Sequence, residues 1–303
     1  MGAVMGTQRE RKVHARPMVL DARGSSCGPS RAPLAHVAEK RMQRETAVPS
    51  LAPPLDMERY AARLCAFDGE RFAVATESTV THRDRAYPIL SVTSRAPAAA
   101  KTLLVLAGVH GDEQAGLLAV PHVLEAWSAE RVRLVILTPV NPVGAAKRSR
   151  FNGKRHDINR DFLRFVTPEA RLVRDVMDRE KPDFVISLHE GPQDGTFMFA
   201  NQFVATLLAH ALCDALALGG TPLAKRDYFG RRLRPPGLAP SSPAVRALTT
   251  LWSLTLRQKA TIGYSEDRGT PEIVLESPSR STDETTRVRP HVDLVAAVAA
   301  RLA

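Results

Sequence analysis

Thr102-Leu-Leu-Val-Leu-Ala-Gly-Val109 is a continuous apolar run closed by a glycine turn, and His110-Gly-Asp-Glu113 follows it at once. A run of this length with no polar alternation reads as a strand buried on both faces. Two further stretches share the pattern, residues 132–140 (VRLVILTPV) and 183–188 (DFVISL). Between the first two, residues 113–127 have the period of an amphipathic helix, with Pro121 as its expected kink. Residues 168–179 read as a charged surface helix, capped by Thr167 and opened by Pro168 at its first position. Residues 203–217, 243–259 and 291–302 read as helices, 273–276 as a short final core strand, and 71–80 and 87–92 as strands joined by a polar turn. Buried strands alternating with helices predict one α/β domain, with a mixed, largely parallel central sheet flanked by helices.

The chain of 303 residues is 44% apolar and 24% charged, the balance of a soluble globular protein. No apolar run approaches the roughly 18 residues of a membrane span. The net charge of +10 is unevenly spread, because residues 1–56 hold nine Lys and Arg against five Asp and Glu. Those residues are rich in Arg, Pro, Ser and Ala and sustain no hydrophobic period. They are expected to be a disordered basic leader or a mis-assigned start, with Met57 as initiator and residues 57–303 as the domain. The remaining basic residues form no stripe interleaved with aromatics, which are 5% of the chain, so a nucleic-acid partner is not expected. Cys27, Cys65 and Cys213 are odd in number and lack a CxxC pair, which excludes a disulfide scaffold and a cysteine–metal cluster. A reducing compartment, the cytoplasm, fits that usage.

In open parallel sheets, chemistry gathers at the carboxyl ends of central strands. The polar constellations of this chain begin there. His110 and Glu113 leave the first buried run, and His189-Glu190 closes the third. Two histidines and a glutamate are a usual ligand set for a hydrolytic zinc ion, which keeps a further position open for water. Next comes Arg150-Phe-Asn-Gly-Lys-Arg-His-Asp-Ile-Asn-Arg-Asp-Phe162, where arginines, asparagines and aspartates crowd a glycine-containing loop. Arginine pairs bidentately with carboxylates and also stabilises an oxyanion, so the loop suggests anion recognition. Glu276 ends a short apolar strand, where a charge has no packing reason to be. Glu272 and Glu190 are its competitors as a catalytic carboxylate.

These motifs, in this order, resemble the zinc carboxypeptidase superfamily: HxxE, then Arg150-Phe-Asn152 with Asp157-Ile-Asn159-Arg160-Asp-Phe162, then Ser187-Leu-His189, then the late Glu276. The match runs from about Lys101 to Pro278. Its compact form and Val140-Asn141-Pro142 are similar to the bacterial branch that includes succinylglutamate desuccinylase and aspartoacylase. The resemblance implies one zinc ion per chain held by His110, Glu113 and His189, with Glu276 as general base and acid and Arg150 at the oxyanion. It further implies that Asn159 and Arg160 grip a substrate carboxylate, and that Asp157 orients His110 through its other ring nitrogen. The substrate would be a small molecule or short peptide with a free carboxylate. The implied activity is hydrolysis of a peptide or N-acyl amino acid. A non-catalytic binding protein that keeps the pocket is the alternative.

Two features depart from the family pattern. Arg155 stands where a glycine is usual, which bears on the shape of the loop. The tyrosine that larger relatives place in a mobile loop could be Tyr228 or Tyr264. Tyr228 lies in the basic stretch 225–234 (KRDYFGRRLR), which reads as a substrate lid or an exposed connection.

Overall fold

The three apolar runs become adjacent strands of one sheet. A computed structural model describes residues 54–97, 100–240 and 255–303, together with Ala247 and Leu251. In it, β3 (Lys101–Ala107) lies between β4 (Val132–Thr138) and β5 (Phe184–Gly191), with β8 (Glu272–Pro278) beyond β5. These four run parallel. An antiparallel hairpin, β1 (Phe72–His82) and β2 (Arg85–Ser94), extends the β4 edge. The short strands β6 (Phe197–Ala200) and β7 (Leu238–Pro240) extend the other edge, giving the order β1-β2-β4-β3-β5-β8-β6-β7. The hairpin turns on Arg83 and Asp84, both left-handed at φ 48° and 62°, a conformation whose twist matches that of the strands it joins.

Helices cover both faces because the buried strands are apolar on both. Leu103, Val105, Ile136, Ile186, Leu188 and Leu275 point to one side. There they pack with α1 (Met57–Cys65), α2 (Ala115–Ala126), α5 (Thr206–Leu218) and α7 (Glu284–Leu302). Leu104, Leu106, Val135, Leu137 and Val185 point to the other, against α4 (Pro168–Glu180) and Ile158 and Phe162. The mixed, largely parallel sheet flanked by helices is the architecture expected from the sequence.

The boundaries differ in instructive ways. β3 stops at Ala107 because Gly108 turns left-handed, and β4 stops at Thr138 because Pro139 has no N–H for the ladder. β5 continues through Gly191, so His189 and Glu190 are strand residues rather than loop residues. α4 is capped as expected, with Thr167 Oγ1 accepting from Ala170 N. α7 begins well before residue 291 and runs through Pro290. Pro121 likewise lies inside α2. Short elements left unread in the sequence are α1, α3 (Pro142–Lys147), a 3-10 turn at Ile158–Arg160, α6 (Thr261–Asp267), β6 and β7. The basic leader lies outside the described residues up to position 53, and most of the expected helix at 243–259 also falls outside them. Asp56 caps α1, accepting from the N–H groups of Glu58 and Arg59. No helix among the described residues is long and apolar enough to cross a membrane.

The turn leaving β3 is pressed onto α3. A Cβ at Gly111 would lie 1.9 Å from the carbonyl carbon of Gly144, so only glycine lets the two backbones meet. Gly111→Ala is expected to cost about 1–3 kcal/mol, seen as a lower denaturant midpoint. An unchanged midpoint would mean that the two backbones do not touch.

Candidate metal centre

His110 and Glu113 sit on the turn between β3 and α2, and His189 on the neighbouring strand β5. Their donor atoms converge. Glu113 Oε1 is 2.7 Å from His110 Nδ1, and Glu113 Oε2 is 2.7 Å from His189 Nδ1. The two Nδ1 atoms are 3.2 Å apart, and one ligand atom from each residue falls within a 4.8 Å cluster. Both rings are buried. Imidazole nitrogen and carboxylate oxygen are donors that suit zinc, so the three residues could hold such an ion. His110 Nε2 faces Asp157 Oδ1 at 3.4 Å, the outer contact that metal-bound histidines usually carry.

Arg150 borders the cluster. Its Nε donates to Asp157 Oδ2 at 2.9 Å, and its Nη1 lies 3.3 Å from His110 Nδ1 and 3.6 Å from Glu113 Oε1. Burial pushes the Asp157 carboxyl up, but Arg150 and His110 outweigh it and hold the group well below the ordinary range. Burial acts the same way on Glu113, and the facing imidazoles outweigh it.

Glu276 is the register partner of His189 across β5 and β8, which places both side chains on one face of the sheet. The described residues make no hydrogen bond to its carboxylate. Burial pushes its pKa up to about 8, with Glu113 adding to the rise and His189 and Arg150 opposing it. The competing carboxylates have other partners. Glu272 is fully buried, accepts from Ser187 Oγ at 2.8 Å and bonds Ser265 Oγ. Glu190 points to the opposite face and pairs with Arg287.

The loop between α3 and α4 is built from its own polar side chains. Asn152 Oδ1 accepts from the N–H groups of Lys154 and His156, and its Nδ2 donates to Glu169. Arg155 is exposed and left-handed at φ 64°, so the backbone keeps the form a glycine would favour. Asn159 Oδ1 accepts from Thr261 N at 3.1 Å, which leaves its Nδ2 as a donor. Arg160 makes no ion pair among the described residues. Its guanidinium donates to Asn159 O at 3.3 Å.

Of the two candidate tyrosines, Tyr228 is the one near the cluster. Its phenol is within electrostatic reach of Glu276, Arg160, Arg150 and Glu113, while 38% of the residue stays exposed. Its ring packs against Phe197, Phe199 and Phe229 at 5.7, 5.8 and 4.5 Å between centroids. Buried Asp227 fixes the turn, accepting from Phe229 N and Arg231 N and pairing with Arg231 Nε at 3.0 Å. Tyr264 instead joins Phe162, Phe165 and Arg268 away from the cluster.

Residues 99–218 match the Succinylglutamate desuccinylase/Aspartoacylase catalytic domain family. That segment spans from β3 to the end of α5 and includes His110, Glu113, Arg150, Asp157, Asn159, Arg160 and His189. No curated protein matches the chain by sequence. Among solved structures, a presumed metallopeptidase from Shewanella denitrificans is 21% identical, with a TM-score of 0.65 over 82% of this chain and 91% of that one. A metallo-carboxypeptidase from Burkholderia cenocepacia is 17% identical, with a TM-score of 0.59 over 82% and 69%. A metallo-carboxypeptidase from Pseudomonas aeruginosa, solved with (2-guanidinoethylmercapto)succinic acid, is 17% identical, with a TM-score of 0.57 over 80% and 67%. At these identities the likeness is one of fold. The family match and the fold together bear out the resemblance to the zinc carboxypeptidase superfamily, on its succinylglutamate desuccinylase/aspartoacylase side.

The left-handed Arg155 gives a direct check of the loop. A non-glycine residue in that region costs about 1–2 kcal/mol, partly offset by the greater freedom glycine has when unfolded. Arg155→Gly should therefore raise Tm by roughly 1–3 °C, and β-branched Arg155→Val should lower it. The opposite order would mean an extended backbone at Arg155.

Proposed function

We propose that the protein is a zinc-dependent hydrolase of an amide or peptide bond in a small substrate with a free carboxylate. The observation that carries this reading is the convergence of His110, Glu113 and His189, with Glu276 on the strand rung of His189 and Arg150 at the cluster's edge. Bound there, zinc would supply Lewis acidity and lower the pKa of water to about 7. With a cation held there, the Glu276 carboxyl would fall from its raised value and favour the form of a base.

Each side chain then has one task. Glu276 takes a proton from the attacking water and delivers it to the leaving nitrogen as the C–N bond breaks. Arg150, held by Asp157, donates to the carbonyl oxygen as negative charge develops on it. Arg160 and the Nδ2 of Asn159 grip the free carboxylate of the substrate and set the scissile bond beside Glu276. Asp157 fixes the His110 ring. Tyr228 closes the side of the site built by the 225–234 turn. The free thiols Cys65 and Cys213 agree with a reducing, cytoplasmic location.

Three variants separate these roles. His189→Ala should lose stoichiometric zinc by elemental analysis while the protein stays folded. Retention of the metal would remove His189 from the ligand set. Glu276→Gln should keep zinc and ground-state binding but lower kcat by about 10²–10⁴-fold. Normal turnover would exclude Glu276 as the base. Arg160→Ala should act mainly on KM and erase the preference for a free carboxylate over its amide, tested on N-acyl amino acids and on peptides with free or amidated C-termini. An unchanged preference would mean that another cation reads the carboxylate. No hydrolysis across that panel by zinc-loaded wild type would overturn the enzyme reading.

A further inference from the structure

α7 packs behind the strands that carry His189 and Glu276. Side chains alternate along a strand, so the residues after His189 and Glu276 point away from the site. Those residues are Glu190 and Ser277, register partners of each other on β5 and β8. α7 covers both. Arg287 and His291 lie four residues apart, hence on one face of the helix. Arg287 Nε meets Glu190 Oε1 at 2.7 Å and Nη2 meets Oε2 at 3.1 Å, while His291 Nε2 lies 3.0 Å from Ser277 Oγ. Glu190 has two further bonds. Its Oε2 accepts from Ala115 N at 2.8 Å, at the start of α2, and its own N–H donates to Glu113 Oε2 at 3.2 Å.

We propose that the Arg287–His291 face of α7 is the positioning element of the site. Arg287, through Glu190, fixes His189 and Glu113 relative to each other. His291, through Ser277, fixes the strand end that carries Glu276. Packing alone gives no reason for the arrangement. A buried ion pair is often no more stabilising than an apolar pair of the same volume. Here the two polar contacts fall on the single residue that follows each site residue, and the ion pair also reaches the helix that begins two residues after Glu113. The inference rests on the reading of His110, Glu113 and His189 as zinc ligands.

The test is zinc affinity, measured by chelator competition on the full chain, beside Tm. Glu190→Leu with Arg287→Met removes both charges together, so Tm should stay near wild type or rise. Zinc affinity should still fall by about 10–100-fold, the usual effect of losing an outer contact. Arg287→Lys keeps the charge but loses the fork and should bind zinc with intermediate affinity. Ser277→Ala should leave zinc affinity unchanged while lowering kcat about 10–100-fold at constant KM. A double variant that binds zinc as tightly as wild type overturns the inference alone. Should that variant not fold, wild-type zinc affinity in Arg287→Lys overturns it in the same way. If wild type takes up no stoichiometric zinc, the metal reading fails and this inference fails with it.

Discussion

The parity of side chains along β5 is the constraint on which the rest depends. Val185, Ser187 and His189 face the α4 side, and Ile186, Leu188 and Glu190 face the side of α2 and α7. One face therefore carries a candidate ligand and the other its support, from consecutive residues. A slip of one residue would exchange every one of these positions, placing Leu188 in the site and His189 under a helix. The apolar residues on both faces make such a slip costly, so the core that holds the sheet together also sets the direction of His189. Glu276 inherits the same parity through its pairing with His189.

Around this strand, much of the chain's polarity serves to hold loops. Asn141 caps α3 through Gly144 N and donates to Arg150 O, fixing the start of the loop that carries Arg150. Asp161 accepts from Val166 N at 3.0 Å and from Thr167 N and Oγ1, shaping the entry to α4. Asn152 and Asn159 each use a side-chain oxygen for backbone N–H groups. With the backbone so constrained, the left-handed Arg155 is tolerated although glycine would fit better. The loop's conformation is over-determined by its hydrogen bonds, so one unfavourable residue does not undo it.

Much of this was legible in the sequence. The buried strands announced themselves as apolar runs, the α4 cap as Thr167-Pro168, and the candidate metal cluster as histidines and a glutamate at strand ends. The short elements α3, α6, β6 and β7 were not, because so few residues carry no period and are held by tertiary contacts. Pro290 hid the first turns of α7, since a proline reads as a boundary. The helix runs through it because Arg287 and His291, on either side, are both held by strands. The choice between Tyr228 and Tyr264 could not be read from either neighbourhood, since what separates them is the turn fixed by Asp227 and the aromatic packing around Phe162. Arg287 gave no signal, because its partner lies 97 residues earlier in the chain.

The three glutamates on β5 and β8 show how one residue type is given three fates. Glu190 meets a guanidinium and a helix N–H, and its charge is spent on holding elements together. Glu272 lies deeper on the face of Glu276, surrounded by the hydroxyl groups of Ser187, Ser265 and Thr261, and burial raises its pKa. Those hydroxyls satisfy it in place without bringing it to the cluster. Glu276 lies four residues further along the same face, two repeats of the pleat, beyond that hydroxyl shell and beside His189. It is buried like the other two, yet no described residue donates a hydrogen bond to it. A buried carboxylate that the fold does not use is costly to keep. Glu276 is thus the one of the three left beside His189 with its carboxylate unclaimed by any described residue.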